Sequence, residues 1–187
     1  MRGYFVDALM QAAESYQRLL GNELLLTFSN GESVRLIPKA GHFKHLAGLH
    51  KLTDLDFIYH EQRASALFTK ALRGDISQAD LNCSRYFNAE AKERLESLSR
   101  ISEVLAIGSL AVYGFDRKIC KASVRFKSSI LFFKDDGHQF FITFGIAQDQ
   151  AGAYYYPETI FYRFDSAYIA GQNIVSITNV EIKPNKK

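Results

Sequence analysis

Ile130-Leu131-Phe132-Phe133-Lys134 and Gln139-Phe140-Phe141-Ile142-Thr143-Phe144 face each other across Asp136-Gly137, and the reading of this stretch decides the fold class. Asp-Gly between two apolar runs is among the strongest local signals for a two-residue hairpin turn. Such a turn sets Phe133 opposite Phe140 and Phe132 opposite Phe141, so both faces of the ribbon carry aromatics. Large aromatic side chains are mostly buried. One face is therefore expected against helices, with the other covered as well. The competing reading leaves that second face open as a floor on which bases stack.

The hairpin belongs to a longer run of strand grammar that begins after Gly108, with further candidates at 109–115, 121–126, 154–164 and 174–182. In 154–164, Thr159, Phe161 and Arg163 share one side, with Ile160, Tyr162 and Phe164 on the other. Pro157 marks an edge or an irregular entry there. Upstream the period is helical. Residues 4–20 carry Phe5, Leu9, Ala12, Tyr16 and Leu19 at helical spacing and stop at Gly21-Asn22. Residues 53–107 keep that period, broken at Arg73-Gly74-Asp75, after which Asp75 or Ser77 is placed to cap the next piece. Between these helices, 23–28 and 33–38 flank Asn30-Gly31, a second hairpin signal. The pattern predicts an α+β fold in a single domain, 1–187. A mainly helical part, 1–107, holds the hairpin 23–38. A mostly antiparallel sheet of four or five strands follows over 108–183, and 184–187 is expected to be a disordered basic tail.

With 187 residues, 47% hydrophobic and 23% charged, the chain has the composition of an ordinary globular protein. No apolar run approaches the ~20 residues of a membrane span, so no membrane partner is expected. Met1-Arg2-Gly3-Tyr4-Phe5-Val6-Asp7 meets an acid too early for a signal peptide. Cys83 and Cys120 stand in no metal or redox spacing and read as reduced, buried thiols. Together these features point to the cytoplasm. A net charge of +3 is compatible with a polyanionic partner but too small to argue for one.

Chemistry concentrates in Gly41-His42-Phe43-Lys44-His45-Leu46-Ala47-Gly48-Leu49-His50-Lys51, which holds three of the five histidines. As one helix, the segment places Phe43, Leu46, Leu49 and His50 on an inward arc and His45 about 140° from His50, near the arc's edge. An imidazole at that boundary can touch both protein and substrate. A histidine on an apolar face is more commonly a core residue bonded to a carbonyl. His42 and His45, three apart, suggest zinc, yet no further ligand stands at finger-like or H-E-x-x-H spacing, and neither metal nor other cofactor is expected. His60 and His138 have no partner in view. Glu90, Lys92, Glu93, Arg94 and Glu96 read as a solvated helix face.

The run from Phe43 to Asp54 resembles the F-x-H-L-x-G-hydrophobic signature of a phage- and mobile-element-associated group within the barnase, EndoU, colicin and RelE-like nuclease superfamily. Tyr156-Pro157-Glu158-Thr159-Ile160-Phe161 is similar to a second recurrent stretch of that group. The resemblance implies helices followed by a four-stranded antiparallel sheet. It also implies a toxin-like, metal-independent ribonuclease in which a 2′-hydroxyl attacks the adjacent phosphate, with RNA as substrate and an antitoxin or immunity protein as a partner. That chemistry needs a base near neutral pKa, an acid for the leaving oxygen and a cation for the phosphoryl charge. Carried over, the motif makes His45 the acid or base, with His50 a second, either catalytic or orienting. Thr159 and Arg163 become phosphate contacts on one strand face, Tyr156 a hydroxyl that positions substrate, and Lys51 and Lys127 the available cations. The alternative is a nonenzymatic module that holds RNA or a protein on its aromatic sheet.

Overall fold

The computed structural model describes residues 7–61, 63–120, 130–134, 139–163 and 166–185; at 134, 139–141, 162 and 163 it describes the backbone alone. The chain divides into two compact units, Met1–Leu19 with Ala40–Ile101, and Leu20–Lys39 with Ser102–Lys187.

The first unit is built from short helices: α1 (Ala8–Gln17), α2 (Phe43–Leu46), α3 (Asp56–Tyr59), α4 (Ala64–Arg73), α5 (Gln78–Leu81), α6 (Phe87–Glu90) and α7 (Lys92–Ser99). Single-turn helices are marginal alone and depend on caps and packing. Asp7 caps α1 by accepting from the Leu9 and Met10 amides at 2.9 and 3.0 Å. Its other oxygen takes the Gln78 amide, and Gln78 Oε1 takes the Ala8 amide in return, so α1 and α5 cap each other. Ser77 and Asp80 close a capping box on α5, settling which of the two candidate residues caps that helix. At the centre, Tyr16, Phe43 and Phe68 meet with ring centroids 5.1 to 6.1 Å apart. Leu46, Leu49, Leu67, Leu95 and Leu98 fill the space around them with no exposed surface.

The second unit is a closed seven-stranded barrel, and it corrects the expected α+β arrangement of a four- or five-stranded open sheet. Its strands are β1 (Asn22–Phe28), β2 (Ser33–Leu36), β3 (Leu110–Tyr113), β4 (Ile130–Lys134), β5 (Gln139–Asp149), β6 (Gly152–Arg163) and β7 (Ile174–Pro184), in the order β1-β2-β6-β5-β4-β3-β7 with β7 back on β1. The hairpin 23–38, expected within the helical part, supplies two of these staves. All pairings are antiparallel except β2 with β6, a parallel seam of one residue pair, Leu36 and Tyr155, extended by the Ile37 amide donating to Tyr155 O at 2.8 Å.

Burial explains the closure. Ile130, Leu131, Phe132 and Phe133 are all within 1% of complete burial, so β4 has no solvated face. An open sheet with two apolar faces needs a layer on each side, whereas a sheet curled on itself buries one face in its own lumen. Phe28 of β1 meets Phe132 of β4 at 5.8 Å although the two strands are not neighbours, so this contact crosses the interior. Phe144 adds to it at 4.9 Å from Phe132. The opposite face of β4 packs Leu131 and Phe133 with Val112, Phe115 and Tyr168, and half-buried Cys120, Phe161 and Ile169 lie against them. No aromatic floor is left on this strand. The other cysteine, Cys83, is exposed where burial was expected.

Register departs from expectation by one residue, because Phe133 pairs with Phe141 and Phe132 with Ile142. A one-residue slip changes which side chains share a face. The turn 135–138 and the candidate strand 121–126 lie outside the described residues. Pro157 proves to be neither an edge nor an entry: it sits inside β6 at a bulge, where Thr143 pairs with Thr159 and Phe144 with Pro157, leaving Glu158 unopposed. β7 pairs with β1 as far as Pro184, and the Asn185 amide donates to Gly21 O at 2.9 Å, so 184 and 185 are tied to the barrel. Among the described residues no helix is long and apolar enough to cross a membrane.

Candidate functional site

The histidine segment is not one helix. Ala40–His42 forms a 3-10 turn, α2 covers Phe43–Leu46, and a second 3-10 turn covers Leu49–Lys51. Gly48 divides them with φ of 72°, in the left-handed region that side chains avoid. The break reverses what a continuous helix would do. In place of a separation of about 140°, His45 and His50 stack, with centroids 4.0 Å apart and planes 18° from parallel. His45 is exposed and His50 is half-buried.

Gly48 also admits the neighbouring helices. A Cβ at this position would stand 2.4 Å from Glu90 O, 2.8 Å from Arg94 Cδ and 3.1 Å from Ala91 Cα. The α6–α7 junction thus lies directly on the loop, and half-buried Arg94 reaches the field of both imidazoles. Burial lowers the pKa of Arg94, while Glu90 and Glu93 oppose that shift, and a guanidinium stays charged regardless. His45 lies below its ordinary pKa, first through burial on its inner side and then through the charges of Arg94 and Lys51. His50 is pushed down to about 4 by burial, by His45 and by Arg94, with a hydrogen bond to the Lys44 backbone acting the other way. Its Nδ1 is buried without a hydrogen-bond partner, which suits an unprotonated nitrogen and not a charged one.

The pair therefore rests neutral beside a fixed positive charge. Such an arrangement accepts a proton readily only when an anion enters. Lys51 is exposed next to His50, and Lys44 turns away to donate to Glu61 O at 2.8 Å. His42, half-buried, ends the first 3-10 turn. Among the described residues no three His, Cys, Asp or Glu side chains gather as metal ligands. His60 packs edge-on against Tyr59 at 5.2 Å, and His138 lies outside the described residues.

Residues 8–183 match the family model described as phage-Barnase-EndoU-ColicinE5/D-RelE like nuclease4. The chain belongs to this nuclease family. No curated protein and no solved structure matches it.

In this member of the phage-type nuclease family, the stretch from Phe43 to Asp54 acquires a physical meaning. Phe43 and Leu46 are core residues with no exposed surface, His45 points out between them, and Gly48 makes room for Arg94. The second stretch lies in the barrel unit. Gly145 pairs with Tyr156, and the Tyr156 ring covers the place where a Cβ of Gly145 would be, at 2.4 Å. Simple alternation sets Tyr156 on the side opposite Thr159, but the bulge at Pro157 turns both onto the face shared with Phe161. Arg163 is described only as a backbone position, paired with Gln139 on that same face. Lys127 lies outside the described residues.

Arg94 is the residue that sequence reasoning missed by assigning it to a solvated face. A signal was present. Ala91, Arg94, Leu95 and Leu98 occupy i, i+3, i+4 and i+7, so Arg94 falls within the apolar stripe of α7.

Proposed function

We propose that this nuclease is a metal-independent ribonuclease in which His45 transfers the proton as a 2′-hydroxyl attacks the adjacent phosphorus. The observation that carries the reading is an exposed imidazole held below its ordinary pKa beside a half-buried guanidinium. Neutral at physiological pH, His45 can take the 2′-hydroxyl proton, while the departing 5′-oxygen, on the opposite side of the phosphorus, takes its proton from solvent. Arg94 and Lys51 face the charge that builds on the nonbridging oxygens. Rings stacked 4.0 Å apart do not straddle a phosphate, so His50 acts as a positioning residue that holds the His45 ring. Tyr156, Thr159 and Arg163 are kept as phosphate contacts on the resemblance alone, and the register of the barrel unit puts Tyr156 and Thr159 on one strand face.

Cleavage of total RNA in EDTA by the wild type and by His45→Ala tests the proposal, with circular dichroism as the folding control. Loss of the proton-transfer group should lower the rate by about 10²–10⁴-fold. Undiminished cutting by His45→Ala would remove His45 from the mechanism, and loss of wild-type cutting in EDTA would remove metal independence. Intact RNA combined with salt-sensitive retention on an RNA column would replace the enzyme by a binding module.

A further inference from the structure

Within the helical unit, one side of α4 forms an open-sided groove of about 390 Å³ lined by Arg63, Thr69, Lys70, Arg73 and Asp75. Arg63, Lys70 and Arg73 recur at steps of seven and three, so they leave the helix on one side and are spread over about 15 Å of its length. The groove is at the small end of the range for pockets that enclose a ligand. Its long, shallow form fits a chain lying along the helix.

Aromatic rings stand where the segment leading into α4 begins. Tyr59 is 62% exposed, Phe57 39%, and the His60 ring meets that of Tyr59 edge-on at 5.2 Å. Tyr59 precedes Arg63, the first cation of the track, by four residues, and a cationic track combined with exposed aromatics is what holds single strands, with phosphates on the cations and unpaired bases on the rings. A duplex keeps its bases stacked inside and has nothing to offer those rings.

The groove is also fixed to the helix that carries His45. Lys44, adjacent to His45, donates to Ile58 O at 3.4 Å and to Glu61 O at 2.8 Å. The Glu61 carboxylate in turn takes Lys70 at 2.9 Å and the Arg63 amide at 3.2 Å. Phe43 of α2 packs on Phe68 of α4 at 5.1 Å. Resting on the ribonuclease reading above, we propose that the α4 groove holds the phosphates of single-stranded RNA flanking the cut, with a neighbouring base stacked on Tyr59. Glu61 occupies Lys70 until a phosphate displaces it, and with Asp75 it keeps the track from binding every polyanion strongly.

The test uses short single-stranded DNA, which lacks the 2′-hydroxyl and cannot be cut by this chemistry, with affinity read by fluorescence anisotropy across a salt series. Replacing Arg63, Lys70 and Arg73 together by Ala should weaken binding at least about tenfold and flatten the log–log salt slope by about 2, from three lost contacts at about 0.7 each. Tyr59→Ala should weaken binding several-fold with the slope retained. Glu61→Gln, which frees Lys70 and keeps the side-chain shape, should tighten binding, an effect that a damaged fold would not produce. Absence of salt-sensitive binding by the wild type, or affinities unmoved by these substitutions, would overturn the groove. RNA cleavage measured alongside separates the two proposals. Cutting that persists while the variants bind normally removes the groove and leaves the ribonuclease; groove-dependent binding without any cutting does the reverse.

Discussion

Gly48 is where steric and electrostatic demands on the histidine pair coincide. Its φ of 72° costs any other residue about 1–2 kcal/mol, and the 2.4 Å approach to Glu90 O meets backbone, which cannot rotate away. Overpacking of that kind adds about 1–3 kcal/mol, so Gly48→Ala should lose roughly 2–5 kcal/mol in denaturant unfolding and lose RNA cleavage in its remaining folded fraction. An unchanged midpoint would mean that the α6–α7 junction yields easily. Lys51 sets a subtler dependence. Its charge helps hold His45 below the ordinary value, so removing it should raise the pKa of His45 and move the rising limb of kcat/KM to higher pH. Lys51→Gln measured across pH 5 to 8 checks this, and a limb shifted to lower pH would contradict the proposed role of His45. At this scale the sequence placed His45 at the edge of an apolar arc but did not disclose what surrounds it. His45 could be read from the phase of Phe43 and Leu46, whereas the stack on His50 depends on a left-handed glycine and on Arg94, which lies far along the chain.

Among the elements, the parallel seam between β2 and β6 is the thinnest part of the barrel wall, with one residue pair where β5 and β6 share eleven. Arg35 of β2 reinforces it from the side. Its guanidinium lies 3.1 Å from Glu23 of β1 and pairs with Asp149 at the end of β5, with Tyr154 of β6 beneath it at 5.7 Å. The Arg35 side chain is only 14% exposed, but Asp149 remains in contact with water. Removing Arg35 should therefore cost about 1–2 kcal/mol, less than the figure for a fully buried pair. Arg35→Met should also raise hydrogen exchange at the Ile37 amide, which bonds across the seam, before it affects amides paired between β1 and β7. Equal loosening everywhere would show that the clamp stabilises the barrel as a whole. This seam also marks what local reasoning could not reach. Each strand is readable from its own apolar run, and the hairpin at Asn30-Gly31 from its turn residues. Pairing of Leu36 with Tyr155 is non-local and leaves no local trace, and the bulge at Pro157 is a tertiary accommodation of a residue that cannot donate to the ladder.

For the molecule as a whole, the titrating groups divide acid sensitivity into two stages. His45 and His50 both lie below the ordinary histidine value near 6.5, so below that pH the unfolded chain binds protons that the folded chain refuses. Stability should start to fall at about pH 6.5 and continue falling toward about 4, where His50 itself takes a proton. The carboxylates act lower. Asp54, Glu61, Asp80, Asp149 and Glu181 are all held below their usual values, chiefly by side-chain hydrogen bonds from Ser84, Lys70, Ser77, Arg35 and Lys183 respectively. Their contribution is complete above the unfolded carboxylate range near 4 and is lost as pH falls through the folded values. All but half-buried Glu61 are exposed, so salt should weaken the second stage by screening. Thermal unfolding followed from pH 8 to 3 should accordingly show Tm declining in two steps. His50→Phe, which keeps a ring for His45 to stack on but cannot be protonated, should flatten the upper step and leave the lower one. A wild-type Tm that stays level between pH 6.5 and 4.5 would mean that the pair accepts protons in the folded state as easily as in water, and the electrostatic basis for His45 as a neutral base would be gone.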